Sequence, residues 1–190
     1  MKEKIILGSQ SSGRKKILEK MGYEFEVMVA DLDEKAIRFE DPVKLTLALA
    51  NAKADALLSQ IKEDVILITA DIVVSCNGKI LEKPADEKEA REYLEMNSKC
   101  PVETVGSEVV INTKTGKRVQ GTDVCKIWFK PFPQDVIDKY IATKDPFIHA
   151  GGFDIQHPLL SPYLDRFEGE VESIVGLSVA LTEKLMKSVI

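Results

Sequence analysis

The spacing of hydrophobic and polar positions changes several times along the chain, and each change marks an element. "KIILG" at 4–8 is a short apolar run of the length of a buried strand. Residues 12–21 then read as a helix that stops at Gly22, a residue suited to the turn past a helix end. "YEFEVMVA" at 23–30 sets Tyr23, Phe25, Val27 and Val29 against polar or smaller neighbours, which predicts a strand with one buried face. "DLDEKAIRFED" at 31–41 reads as an acidic loop. Asp41 then caps a helix with Pro42 at its first position, running to about Ser59.

Beyond that helix, "VILITADIVVS" at 65–75 predicts one buried strand, or two separated by a kink. Asn77–Gly78 is a hairpin turn leading into "KILEK". A helix is predicted over 86–97. "VETVGSEVVIN" and "KRVQGTDVCKIWF" alternate about "TKTG", so they form a hairpin. A short helix follows over 134–143, "HAGGFDIQHP" is a glycine-rich loop or strand, and residues 178–188 form the last helix. Units of strand and helix thus alternate with hairpins. The order predicts an α/β fold with a mixed, twisted central sheet flanked by helices, not a purely parallel doubly wound one.

The composition narrows the function classes. A chain of 190 residues suits one domain, or two small lobes sharing a cleft. A net charge of −5 argues against general nucleic-acid binding, which needs a basic surplus, yet leaves room for a local basic pocket. Cys76, Cys100 and Cys125 form no CxxC pair and are odd in number, so reduced thiols in a cytosolic protein are expected. Structural zinc is not expected, since only His149 and His157 are on hand to assist. The start "MKEKIILGSQSSGRKKIL" turns polar after four apolar residues, unlike a signal peptide, and no run approaches a membrane span. The expected location is the cytoplasm.

Six places carry candidate chemistry. In "GSQSSGRKK" at 8–16 a small-residue loop leads from a strand into a helix start, where free N–H groups and the helix dipole favour an anion. Ser9, Ser11 and Ser12 add hydroxyls, Gly8 and Gly13 permit close approach, Arg14 offers two parallel hydrogen bonds and Lys15 a point charge. The plainer reading is a capped helix with a solvated basic face. It is not a P-loop, whose GxxxxGK[ST] spacing is absent. Asp71 is the one charge within "VILITADIVVS", and a bare buried carboxylate is costly. It must be neutral, paired, bound to metal or placed at the strand's mouth, and a general base or metal ligand competes with a turn cap. Lys53 shares a helix face with Leu49 and Leu57, so it either snorkels to solvent or aims an ammonium into a cleft. Lys83 is held extended by Pro84, with a rim lysine as the alternative. "DLDE" at 31–34 is a solvated loop or a divalent-cation site, and Gln156 offers a two-faced amide for reading a base edge.

Taken in order, "SQSSGRK" at 9–15, "DLDE" at 31–34, "ANAKA" at 50–54, "ADIVVSCNGKILEKP" at 70–84, "HAGGFDIQ" at 149–156 and "IVGL" at 174–177 span nearly the whole chain. This set resembles the Maf family of house-cleaning nucleoside triphosphate pyrophosphatases. The resemblance implies a single domain over 1–190 with a cleft between two lobes, usually a homodimer. It implies cleavage of nucleoside triphosphates between the α and β phosphates, with magnesium, manganese or cobalt, and no nucleic-acid or membrane partner. It places the catalytic aspartate at Asp71 with Glu34 as its acidic partner, both as metal ligands. It gives Lys53 and Lys83 catalytic roles, binds the substrate through Ser9, Ser11, Arg14 and Lys15, and reads the base through Gln156. Gln156 points to the dTTP/UTP group, with modified nucleotides as the other class. The chain departs from the family pattern at Ser12–Gly13, where the family has Pro-Arg, at Ile72, where it has Thr or Gln, and at Glu82, where it has Gly before Lys-Pro. Two other readings remain: a sugar-phosphate nucleotidyltransferase, and a nucleotide-binding regulatory module without catalysis.

Overall fold

A computed structural model describes residues 3–190. The predicted elements form, mostly within a residue or two: β1 (Ile5–Leu7), α1 (Ser12–Lys20), β2 (Phe25–Val27), α2 (Pro42–Leu58), β3 (Ile66–Cys76), β4 (Lys79–Leu81), α3 (Glu87–Asn97), β5 (Val102–Asn112), β6 (Lys117–Phe129), α4 (Gln134–Ala142), β7 (Leu164–Glu168), α5 (Val171–Val175) and α6 (Val179–Val189). The caps are the predicted ones. Asp41 accepts from the N–H groups of Val43 and Lys44, and Gly22 has φ +79° just past α1. "HAGGFDIQHP" is a loop, the first of the two forms expected, with one 3-10 turn at Ala150–Gly152.

The sheet is mixed, as expected, with the order β2-β1-β3-β5-β6-β7 and β4 paired to β3. β1 lies parallel to β2 and β3, with Leu7 opposite Val27 and Ile68, while β3–β4 and β6–β7 are antiparallel. The chain forms two compact units, and β3, β5 and β6 each contribute residues to both. The first holds the N-terminal stretch to Ile72, Val105–Asp123 and Glu170–Ile190. The second holds Val73–Thr104 and Val124–Gly169.

The first unit buries its strands on both faces. Side chains alternate along a strand, so Ile5, Leu7, Ile66 and Ile68 point to one side. There they pack with Ile17 and Leu18 of α1 and Leu185, Met186 and Val189 of α6. Ile6, Leu67, Val109 and Ile111 point to the other and meet Ala50, Ala54 and Leu57 of α2. Two covered faces explain why "VILITADIVVS" reads as unbroken apolar sequence. β3 is one continuous strand without the kink considered above.

Two expectations are corrected and two elements come without one. The strand predicted over 23–30 shrinks to Phe25–Val27, and Val27 and Val29 are exposed at 42% and 46%, so their alternation does not mark a buried face. β7 and α5, at five residues each, are too short for a periodic signal. Cys76 and Cys100 are not free thiols. The end of β3 and the turn after α3 bring their Cα atoms to 6.5 Å, within bonding range, and they form a disulfide; Cys125 lies outside it and is buried. Among the described residues no helix is long and apolar enough to cross a membrane.

β5 also buries a charge. Glu108 is 2% exposed. Its Oε1 accepts from the Ser178 N–H at 2.9 Å and its Oε2 from the Thr182 hydroxyl at 2.7 Å. Burial pushes its carboxyl up from 4.5 to about 7, against the lowering effect of those two bonds and of Arg14.

Two predictions follow from these buried groups. Reduction should raise the count of titratable thiols in denatured protein from one to three and lower urea stability by about 3 kcal/mol, the usual yield of closing a loop of this length. A thiol count of three without reductant rejects the pairing. For Glu108 the folded state holds a proton that the unfolded state releases between pH 4.5 and about 7, so stability falls as pH rises through that window and levels off above it. Measured against Glu108→Gln, the wild type should lose on the order of 3 kcal/mol between pH 4.5 and pH 8 in urea unfolding. A difference independent of pH contradicts the assignment.

Candidate active site

The parallel arrangement of β1, β2 and β3 puts their C-terminal ends side by side, where loops of an α/β sheet form binding sites. Each end contributes one part. β1 runs into Gly8 and the serine loop. β2 leads to the 3-10 turn Glu34–Ala36. β3 continues three residues beyond Ile68 to Asp71. Gly8 seals the junction: its N–H donates to the Ile68 carbonyl at 2.8 Å, and a Cβ there would stand 2.6 Å from both Leu57 Cδ1 and Thr69 Cγ2.

The serine loop is built around Arg14. Ser11 caps α1 by accepting the Arg14 N–H, and the Ser9 hydroxyl accepts the Ser11 N–H. The N–H groups of Ser12 and Gly13 stand at the first two helical positions, where the α-helix offers them no acceptor. The Arg14 side chain folds inward and is 7% exposed. Its Nε donates to the Gly176 carbonyl at 3.0 Å, and its Nη1 donates to Ser9 Oγ at 3.1 Å and to the Ala70 carbonyl at 2.9 Å. All three acceptors are neutral. The guanidinium is therefore fixed in place while its charge has no directly bonded counter-ion among the described residues. Burial lowers its pKa, and the carboxylates of Asp71, Glu108 and Glu34 pull it back up. Gly13 owes its place to packing: a Cβ would meet Val175 Cγ1 at 2.7 Å and the Val175 carbonyl at 3.1 Å. The chain thus has no room for a side chain where the family pattern carries a second arginine. Lys15 is half-buried on the same turn.

Asp71 is 7% exposed and is paired. The Lys53 ammonium lies 2.6 Å from its Oδ1 and 3.2 Å from Glu34 Oε1. Lys53 does not snorkel to solvent: its side chain is 12% exposed, between Leu49 and Leu57 on the buried face of α2. Burial raises the Asp71 carboxyl above its ordinary 3.8, Lys53 and Arg14 lower it, and Glu34 raises it further. The sequence left Asp71 between turn cap and working carboxylate. The structure makes it the centre of a charged cluster inside the sheet.

Ser9, Ser11, Arg14, Lys53, Asp71 and Glu34 all belong to the first unit. Lys83 and Gln156 belong to the second, where both are exposed; Lys83 precedes Pro84, and the Gln156 N–H donates to Asp154 Oδ1. Asp71 and Glu34 suit a hard divalent cation by chemistry, being carboxylates that already converge on one positive charge. A second possible cation cluster was not foreseen. Asp145, His149 and Asp154 each bring a ligand atom within 4.8 Å of the others.

Comparison with known proteins finds relatives along almost the whole chain. The 7-methyl-GTP pyrophosphatase of Dictyostelium discoideum is 45% identical over 192 residues, covering 97% of this chain and 96% of that one. The dTTP/UTP pyrophosphatase of Alkaliphilus metalliredigens is 33% identical over 177 residues, covering 93% and 91%. A solved dITP/XTP pyrophosphatase of Mycobacterium abscessus overlaps 66% of this chain and 72% of its own at 12% identity and a TM-score of 0.41, too slight a likeness to argue from. The model of the Maf-like protein family matches residues 4–189, and the chain belongs to that family.

Proposed function

We propose that the protein hydrolyses a nucleoside triphosphate between its α and β phosphates, releasing a monophosphate and pyrophosphate. The observation that carries this reading is the cluster at the ends of β1, β2 and β3. A fixed guanidinium without a bonded counter-ion lies beside a buried carboxylate whose charge an ammonium offsets. Binding alone gains nothing from an acid set beside a polyanion. A nucleotidyltransferase reading has no observation of its own here.

The phosphates dock on the Ser12 and Gly13 N–H groups, the Ser9 hydroxyl and the Arg14 guanidinium. Few of these groups need to reorient, so most of the ordering cost is met on folding. Asp71 accepts a proton from the attacking water, and burial gives it more basicity than an exposed aspartate has. Lys53 limits that rise and keeps Asp71 ionised. A divalent cation held by Asp71 and Glu34 would supply charge neutralisation on the phosphates and acidify bound water. Lys83 and Gln156 are proposed to act on the phosphates and on the base. For the base we put 7-methylguanine ahead of the pyrimidines expected from Gln156. The support is the 45% identity to the 7-methyl-GTP enzyme against 33% to the dTTP/UTP enzyme.

A pyrophosphate-release screen over canonical and methylated triphosphates tests the substrate. Release from 7-methyl-GTP at least ~10-fold above dTTP and UTP in kcat/KM is expected, and the reverse order rejects the base assignment. Asp71→Asn should keep the fold and binding of a non-hydrolysable analogue but lose at least ~100-fold in kcat, the share of a general base. Turnover near wild type in that variant removes Asp71 from the chemistry. The wild-type kcat/KM should fall on the acid side at a pH above the ordinary 3.8 of an aspartate, because the proton-accepting form is lost there. A profile flat down to pH 4 contradicts the role.

A further inference from the structure

We infer that Glu108 is a positioning residue for Arg14, acting through the Gly176–Ser178 turn. This rests on the proposed role of Arg14 in gripping phosphate. Two of the anchors of Arg14, Ser9 Oγ and the Ala70 carbonyl, sit on the serine loop and on β3. The third, the Gly176 carbonyl, sits on the turn between α5 and α6. The near side of that turn is held by its own stretch: the Gly176 and Leu177 N–H groups donate back to the Glu172 carbonyl, and Leu177 is buried in the core. It follows a helix of five residues, and Gly176 takes φ +132°. A small hollow bordered by Ser107, Glu108, Asp123, Ser173 and Leu177 lies beside it, on the side that faces β5.

Glu108 ties the far end of the turn to β5. It reaches from the middle of β5 and accepts the Ser178 N–H, two residues beyond the carbonyl that Arg14 uses. Its other oxygen accepts the Thr182 hydroxyl one turn into α6. The short peptide segment is thus held at one end by a guanidinium and at the other by a carboxylate, and Arg14 and Glu108 also attract each other.

Helix capping does not account for this residue. Ser178 already caps α6 with its own hydroxyl, which accepts the Leu181 N–H. Thr182 has a second acceptor in the Ser178 carbonyl at 2.7 Å. An apolar side chain in place of Glu108 would leave one amide without a partner and remove the cost of burying a carboxylate, so for stability alone the acid is a poor choice. What it provides is the location of the Gly176 carbonyl, and with it the direction of the guanidinium.

The test is titration calorimetry with inorganic tripolyphosphate and a non-hydrolysable triphosphate analogue, alongside thermal unfolding. The proteins are wild type, Glu108→Leu, Glu108→Gln, Arg14→Ala and the double variant Arg14→Ala/Glu108→Leu. Glu108→Leu should bind both ligands about tenfold more weakly while remaining folded. Glu108→Gln keeps an acceptor for the Ser178 N–H and should stay within about threefold of wild type. In the Arg14→Ala background Glu108→Leu should add less than about twofold, because it acts through the side chain already removed. Glu108→Met carries the same expectations should the leucine variant not fold. Undiminished binding by the apolar variant, or its full loss repeated without Arg14, overturns the positioning role alone. No tripolyphosphate binding by wild type, or none lost in Arg14→Ala, overturns the phosphate site and this inference with it.

Discussion

The site depends on a buried carboxylate that is tolerable only because an ammonium meets it. Asp71 lies inside a sheet covered on both faces, where an isolated charge would cost several kcal/mol or take up a proton. Lys53 prevents that outcome, and the sequence had to place a lysine on the apolar face of α2 to do so. Each charge justifies the other. Remove Lys53 and the Asp71 carboxyl loses the neighbour that most lowers its pKa; remove Asp71 and the ammonium is left facing only an exposed glutamate. The pair therefore adds little to stability. What it fixes is a carboxyl of raised pKa at a known point beside the serine loop.

The backbone bears the same constraint. β1 and β3 must approach closely enough for Gly8 to donate to the Ile68 carbonyl, which leaves no space for a Cβ between Leu57 and Thr69. α5 must approach α1 closely enough to offer the Gly176 carbonyl to Arg14, which leaves no space for one at Gly13. The serine loop is thus tied on one side to the strand that carries Asp71 and on the other to the turn ahead of α6. Loss of the second arginine of the family pattern is a consequence of that second tie, since the space is taken by Val175.

Much of this was legible because burial makes charges conspicuous. Asp71 stood out as the one acid in an eleven-residue apolar stretch, and Lys53 by sharing a face with Leu49 and Leu57. Glu108 gave the same signal within "VGSEVVIN" but was not singled out, because serine, glycine and asparagine around it diluted the apolar run. The disulfide could not be read at all. Cys76 and Cys100 are 24 residues apart, and only the return of the chain after α3 brings them together. The error at Val27 and Val29 has a different source. Alternation shows which residues share a side of a strand, but not that anything covers that side, and the segment leaves the sheet after Val27. α5 is too short to show a helical period, yet it carries the turn that anchors Arg14.

The two cations of the site do different work, and their partners show which is which. Lys53 sits within 3.2 Å of two carboxylates, so much of its charge is already spent on them. Arg14 is more deeply set, yet its hydrogen bonds go only to a hydroxyl and two carbonyls. Neutral acceptors orient a guanidinium without cancelling it, and burial makes the uncancelled charge costly until an anion arrives. That cost is the affinity in waiting. A phosphate bound at Arg14 meets a donor already desolvated and already aimed, whereas one bound at Lys53 must first compete with Asp71 and Glu34. On the proposed function, phosphate recognition falls mainly to Arg14 and control of the acid mainly to Lys53, although the sequence presents them as two positive charges of the same kind.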